Sequence, residues 1–375
     1  MTQESGLSLR PARLVAAMAL GFAFVADVVP AAAQTVAAVS GAEETPATRH
    51  SLGMKLVYAA AVPDEDTRTG LRLVEEAAAA GHVPAMVDLS GLYLYGTVVA
   101  PNLARARELA ETAAAAGNGE GLLAVGSMLM WGERDAAEGE RLLVRAGEMG
   151  VAKAWVTLAE GATYGYLGAG KVSRAKFAGY ADKARAAGQT RVDVLEANRL
   201  LWGISVTASG PEAVAVLTRA ADGGNADAAR MLIPLLRDGN GVNVRRDPAA
   251  ARVVAATYRP LLTEAEAYQY DLTIAAAESR DEGAMADVAG RVLARPEMLT
   301  RALALDLQKA NGNVAMRVVQ QKLTAAGFDA GASDGYAGTQ TLRAMYRACL
   351  TVFLPATCDD TVMRPDVIAS LITTL

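Results

Sequence analysis

The sequence predicts an all-α chain: a stack of short helix pairs, followed by a smaller helical module at the C-terminal end. Three observations carry that expectation. The chain is 52% hydrophobic but only 5% aromatic, with alanine and glycine supplying much of its small-residue content. Alanine is the best helix former and lets helices approach closely. A phrase of small residues running into glycine then recurs, ending at Gly81, Gly117, Gly150, Gly188 and Gly224, with spacings of 36, 33, 38 and 36. A period of that length is the signature of a helix-turn-helix array. Finally, this grammar fades after residue 262, and a different pattern of glycines, acid and aromatic begins near residue 313.

Residues 1–33 read as a cleavable signal sequence. Arg10 and Arg13 precede an apolar run from Leu14 to Val25, and Ala31-Ala32-Ala33 offers a cleavage site. Cleavage after Ala33 would leave Gln34 at the mature N-terminus. The run is short for a membrane span and Asp27 interrupts its extension; an uncleaved anchor is the alternative. The expectation is a periplasmic protein that does not span the membrane once the signal is removed. Residues 34–46 are small, polar and aperiodic, a flexible leader.

Residues 47–262 hold the repeats. Each opens with a first helix whose end reads LSGLYLYG (89–96), AVGSMLMWG (124–132), LAEGATYGYLG (158–168) or ANRLLWG (197–203). A polar turn follows, then an Ala-rich second helix such as LARARELAETAAAA (103–116), with one apolar stripe at i, i+3 and i+4. Its terminal glycine supplies the left-handed stop that a side chain disfavours. Residues 263–312 keep a helical pattern without the repeat grammar, as a degenerate capping repeat or a helical linker.

The repeat pattern resembles that of Sel-1-like repeats, a branch of the tetratricopeptide superfamily. It is carried by Ala85, Gly91, Tyr93, Gly96, Val99, Ala106, Ala113, Ala116 and Gly117, and again by Leu235 to Val242 with Asp247-Pro248-Ala249-Ala250-Ala251. The 132–137 turn is shorter than the pattern, and small or aliphatic residues replace the expected Trp-Tyr of the second helix. The resemblance implies a right-handed α/α superhelix that binds other proteins. Exported relatives act as adaptors in exopolysaccharide export, polarity or signalling.

Residues 313–375 form the final block. Val318, Gln320, Leu323, Gly327, Phe328, Asp334, Gly335, Tyr336, Gly338, Thr341 and Ala344 fall at the offsets of a peptidoglycan-binding-like domain, with Tyr346-Arg347 as the departure. The resemblance implies a small three-helix domain with a glycan site at Asp334, Gly335, Tyr336, Gly338 and Thr341. From the residues themselves, Val318, Leu323 and Phe328 should form the core. Asp334 should fix a tight turn, Thr339 should cap the next helix, and the loop should present Tyr336 and open backbone amides. The alternative is a loop that only holds the module together. Cys349 and Cys358, closely spaced in an exported chain, favour a disulfide over two buried free thiols.

Other chemistry is sparse. The net charge of −5 and a pI near 5.3 argue against nucleic acid. No catalytic, metal or cofactor motif is present in the sequence, so no enzyme activity and no cofactor are expected. His50 and His82 stand alone, His82 as a solvated turn residue. Glu75-Glu76 and Asp359-Asp360 read as solvated surface. Tyr93, Tyr95, Tyr164 and Tyr166 are expected in inter-helix packing, and Trp131, Trp155 and Trp202 in the core, unless one faces outward as a partner anchor. Together these readings describe an envelope scaffold that holds protein partners on its repeats and peptidoglycan on its C-terminal module. A periplasmic regulator that represses a membrane sensor or exopolysaccharide machinery, without wall binding, is the alternative.

Overall fold

Every described element is helical, and the order of helices follows the glycine punctuation. The computed structural model describes residues 45–59, 64–133, 135–167, 172–352, 358 and 361–375. The signal sequence, most of the leader and the Asp359-Asp360 pair lie outside them. Six helix pairs come first: α1 (Pro46–Val57) with α2 (Glu65–Ala79), α3 (Val83–Tyr95) with α4 (Leu103–Ala115), and α5 (Gly119–Met128) with α6 (Ala136–Glu148). Then come α7 (Lys153–Tyr164) with α8 (Arg174–Ala186), α9 (Arg191–Trp202) with α10 (Gly210–Asp222), and α11 (Ala226–Asp238) with α12 (Pro248–Thr257). The chain continues through α13 (Glu264–Glu278), α14 (Glu282–Leu293), α15 (Arg301–Ala310), α16 (Gly312–Ala325), α17 (Thr339–Val352) and α18 (Pro365–Thr374).

Local chemistry sets the boundaries. All five phrase-ending glycines have positive φ, between 73° and 91°. A second set, Gly96, Gly165, Gly203 and Gly239, closes the first helices of their pairs with φ between 64° and 80°. At the other ends, side chains of Asn102, Asn118, Asp135, Ser173, Ser209, Asn225 and Asp247 accept the orphan N–H three residues on.

Small residues let the helices of a pair cross closely. A Cβ at Gly70 would lie 2.6 Å from the carbonyl oxygen of Gly53, and one at Gly139 would lie 2.9 Å from that of Gly126. In the α3–α4 pair, Ser90 donates to the carbonyl of Ala106 at 2.7 Å across the equivalent contact. Each second helix touches the first helix of the next pair, and first helices meet directly at α1–α3, α3–α5, α7–α9 and α9–α11. The core is therefore a series of apolar clusters, each shared between neighbouring pairs.

From α13 onward one core takes over. Leu272, Val288, Leu307, Val318, Leu323, Met345 and Ile372 belong to a single buried cluster spanning α13 to α18. Val318 and Leu323 are fully buried and Phe328 packs on the edge of this cluster. The residues on either side of position 313 thus share their interior. Cys349 and Cys358 are joined in a disulfide with Cα atoms 5.9 Å apart.

A buried ion cluster ties the two regions together. Arg237, at the end of α11, is completely enclosed. Its guanidinium makes paired bonds to Asp306 of α15, at 2.6 and 2.9 Å, and to Asp238, both at 2.7 Å. Lys309 adds a contact to Asp238 at 3.2 Å. Asn311 does similar work between elements: it caps α16 and donates to the carbonyl of Ala276 at 2.9 Å.

Candidate functional site

The loop before α17 is organised around one side chain, Gln320 of α16, which is fully buried. Its amide nitrogen donates to Asp334 Oδ1 (3.1 Å), the carbonyl of Tyr336 (3.0 Å) and Thr341 Oγ1 (3.2 Å). Its amide oxygen accepts the N–H of Gly335 at 2.8 Å. Asp334 Oδ1 also accepts the N–H of Tyr336 at 2.8 Å, and Thr341 donates to the carbonyl of Ala330 at 2.8 Å. The backbone N–H of Tyr336 and the Gln320 amide hold the Asp334 carboxyl below the usual aspartate range.

Asp334, Gly335, Tyr336 and Thr341 therefore converge as the motif spacing suggests, and Gly338 joins them by donating to the carbonyl of Tyr336 at 2.9 Å. The amides of Gly335, Tyr336 and Gly338 are not open, since all three have partners within the loop or on Gln320. Thr339 is the first residue of α17 rather than a cap before it. Gly335 has φ 87°, and a Cβ there would stand 2.6 Å from the carbonyl oxygen of Asn313. What the loop presents outward is the Tyr336 ring, 59% exposed.

A second surface lies on the repeats, in residues that the sequence pattern assigned to packing. Trp155 is buried, as expected, but Trp131 and Trp202 are not. Trp202 is the last residue of α9, and Trp131 lies just past α5 in a short helical turn that still contacts α6. Tyr58, Tyr95 and Tyr164 occupy the corresponding place in their own pairs. The five positions 58, 95, 131, 164 and 202 repeat with the period of the array, and all five side chains are between 38% and 75% exposed. Tyr166 stacks edge-on against Trp131 with ring centroids 4.4 Å apart, which links the ends of α5 and α7. Tyr93 alone behaves as packing, with its hydroxyl on Glu75 at 2.9 Å.

Hydrogen bonding separates the two groups of tyrosines. Tyr93, Tyr180, Tyr258, Tyr268 and Tyr270 each donate to a protein oxygen. Among the described residues, no protein group pairs with the hydroxyls of Tyr58, Tyr95, Tyr164 and Tyr166 or with the indole N–H of Trp131 and Trp202. The signal that could have found this row is an aromatic directly before the first-helix glycine: Tyr95-Gly96, Trp131-Gly132, Tyr164-Gly165 and Trp202-Gly203.

One turn inside Trp202 lies Arg199, only 4% exposed. Its guanidinium stacks on Phe177 at 3.6 Å, and its Nε is enclosed without a hydrogen-bond partner. Burial pushes its pKa down, with Glu196 opposing and Arg174 adding to the shift. Glu196 itself is paired with Arg185. Exposed Arg174 donates to the carbonyl of Ser205, which sits at φ 63° in the turn after α9.

The histidines do not stand alone. Their rings are 5.2 Å apart, and His50 Nε2 lies 2.7 Å from Asp88 Oδ2. α1 and α3 bring them together across the pair boundary, and His82 is half-buried at the N-cap of α3. Among the described residues no group of three metal-ligating side chains converges, and no helix is long and apolar enough to cross a membrane.

Two solved structures are similar to this chain. A Sel1 repeat protein from Oxalobacter formigenes is 18% identical, with 58% of this chain and 89% of that one covered and a TM-score of 0.42. The protein c5321, described as a protective antigen present in uropathogenic Escherichia coli strains displaying an SLR fold, is 17% identical, with 88% of this chain and 75% of that one covered and a TM-score of 0.36. No family model matches the chain, and no curated protein matches it.

Proposed function

We propose that this protein is an exported, non-enzymatic adaptor of the cell envelope, built on Sel-1-like repeats. The repeats hold a protein partner, and the C-terminal loop contacts peptidoglycan through Tyr336. The observation that carries the adaptor reading is the row of exposed aromatics. Large rings left in solvent at equivalent repeat positions, with their hydroxyl and indole donors unused among the described residues, suit a binding surface better than a packing one. The disulfide between Cys349 and Cys358 supports an oxidising compartment.

Wall binding is tested by sedimenting purified sacculi with the full-length protein and with Tyr336→Ala. The wild type should pellet and the variant should remain largely in the supernatant; equal behaviour, or no pelleting of either, would remove the wall-binding part. A truncation near residue 312 is the poorer probe, because it cuts through the core shared by α13 to α18. The second reading, a regulator without wall binding, is favoured by one observation: the polar groups of the loop are already engaged by Gln320.

A further inference from the structure

The aromatic row has a geometry that selects among ligands. Tyr58, Tyr95, Trp131, Tyr164 and Trp202 stand at the ends of successive first helices, most of which touch directly. Helices in contact lie about 8–10 Å apart, so rings at equivalent helix ends are expected at about that interval. A polyproline II strand repeats every three residues at 3.1 Å each, about 9 Å. Every third residue of such a strand would meet the next ring.

The donors point the same way. The rungs are tyrosine or tryptophan and never phenylalanine, so each couples an apolar face to a hydrogen-bond donor. A polyproline II strand makes no internal hydrogen bonds, and its carbonyls are free to accept. A glycan, by contrast, carries hydroxyls that seek acceptors as well as donors. The carboxylates coupled to two of the rungs each already hold a partner: Asp88 near Tyr58 pairs with His50, and Glu160 near Tyr164 pairs with Arg191.

Charge distinguishes one end of the row. Arg174 and Arg199 flank the Trp202 end, and neither pairs with a carboxylate among the described residues. Two cations side by side, one of them nearly enclosed, favour an anion brought by something else.

We propose that this row binds an extended proline-rich peptide of a partner protein, with an acidic side chain of that peptide meeting Arg174, and Arg199 behind it, beside Trp202. This rests on the reading of the repeats as the partner-binding surface. Spanning the row takes roughly 10–13 residues at these spacings.

The test is calorimetric titration of the full-length protein with a peptide of four Pro-Pro-Ala triplets bearing a glutamate at each end. Three controls accompany it: a twin with glutamine at both ends, a twin with the prolines replaced by glycine, and a chitin tetrasaccharide. The acidic proline peptide should bind, the glutamine twin about tenfold more weakly, and the glycine twin not at all. Tyr95→Ala combined with Tyr164→Ala should weaken both proline peptides at least tenfold with unchanged far-ultraviolet circular dichroism. Arg174→Gln should abolish the difference between the acidic and glutamine peptides. Equal binding of the proline and glycine peptides, binding of the tetrasaccharide alone, or no binding at all would overturn the proposal. None of these outcomes bears on sacculus retention through Tyr336, so the two readings fail separately.

Discussion

At the scale of single residues, the contrast between two buried arginines is instructive. Arg237 is enclosed but fully paired with Asp238 and Asp306. Arg199 is nearly as buried and has no carboxylate partner among the described residues. Truncating Arg237 to alanine takes the guanidinium from two largely buried carboxylates, leaving Asp238 with Lys309 and Asp306 with Gln269, and should cost about 3–5 kcal/mol in a urea unfolding titration. Arg199→Leu should instead raise the melting temperature, because it removes an unpaired cation from an apolar setting. The Asp238 carboxyl has a matching pH signature. Burial alone would raise its pKa, but hydrogen bonds and charge from Arg237 and Lys309 win, and hold it below the aspartate value of 3.8. A lowered carboxylate pKa contributes stability that is complete above the unfolded value and lost as pH falls through the folded one. Acid unfolding should therefore deepen below about pH 4, and Asp238→Asn should flatten that limb. None of these pairings was legible in the sequence, since Arg237 and Asp306 are 69 residues apart. The glycine stops at Gly81 and Gly117 were legible, because a left-handed residue is a local requirement. Pro234, inside α11, shows how the two levels meet: it leaves the carbonyl of Arg230 without its helical donor, and the hydroxyl of Tyr270 lies 3.4 Å away to supply one.

At the scale of elements, helix existence and order could be read from periodicity, while the outward face of each helix could not. Trp131 and Trp202 lie on first helices, which made the core the natural expectation. They sit at or just past the first-helix end, where the way a side chain faces depends on where the second helix crosses. The crossing is itself set by small residues. Gly70→Ala should gain about 1 kcal/mol of helix propensity, yet its methyl would meet the Gly53 carbonyl and the Leu56 Cβ at under 3 Å. The net effect should be a loss of about 1–3 kcal/mol, measurable as a lower melting temperature. At an exposed helix start, Asp247→Ala should cost about 1 kcal/mol through the lost cap to Ala250. The 334–341 loop divides similarly. Its convergence was legible from motif spacing, but Gln320's occupation of its amides was not, because a spacing records which residues meet and not which groups they use.

At the scale of the whole molecule, the repeats were read as one region and residues 313–375 as another. The apolar cluster from Leu272 to Ile372 crosses that border, and the Arg237–Asp306 cluster joins the repeats to α15 just ahead of it. Sequence motifs mark where a pattern begins, and burial follows whatever apolar face lies nearest. Reduction of the Cys349–Cys358 bond should cost about 2–3 kcal/mol on the chain-entropy account of so short a loop. Because the disulfide lies in the shared core, the loss should appear in the unfolding of α13 to α18 together, followed by hydrogen exchange with and without reductant. Protection lost only in α17 and α18 would show that the cluster does not unfold as a unit.

The Arg237–Asp306 cluster also has a mechanical meaning. A force applied at the C-terminal end cannot first peel away a loosely attached module, because the load passes through α15 and its enclosed ion pairs into α11. Stretched from its two ends, the chain should yield at a contact between neighbouring repeat pairs before the C-terminal helices separate from the array. If Tyr336 and the aromatic row hold ligands as proposed, the link between them is packed protein rather than a slack cord.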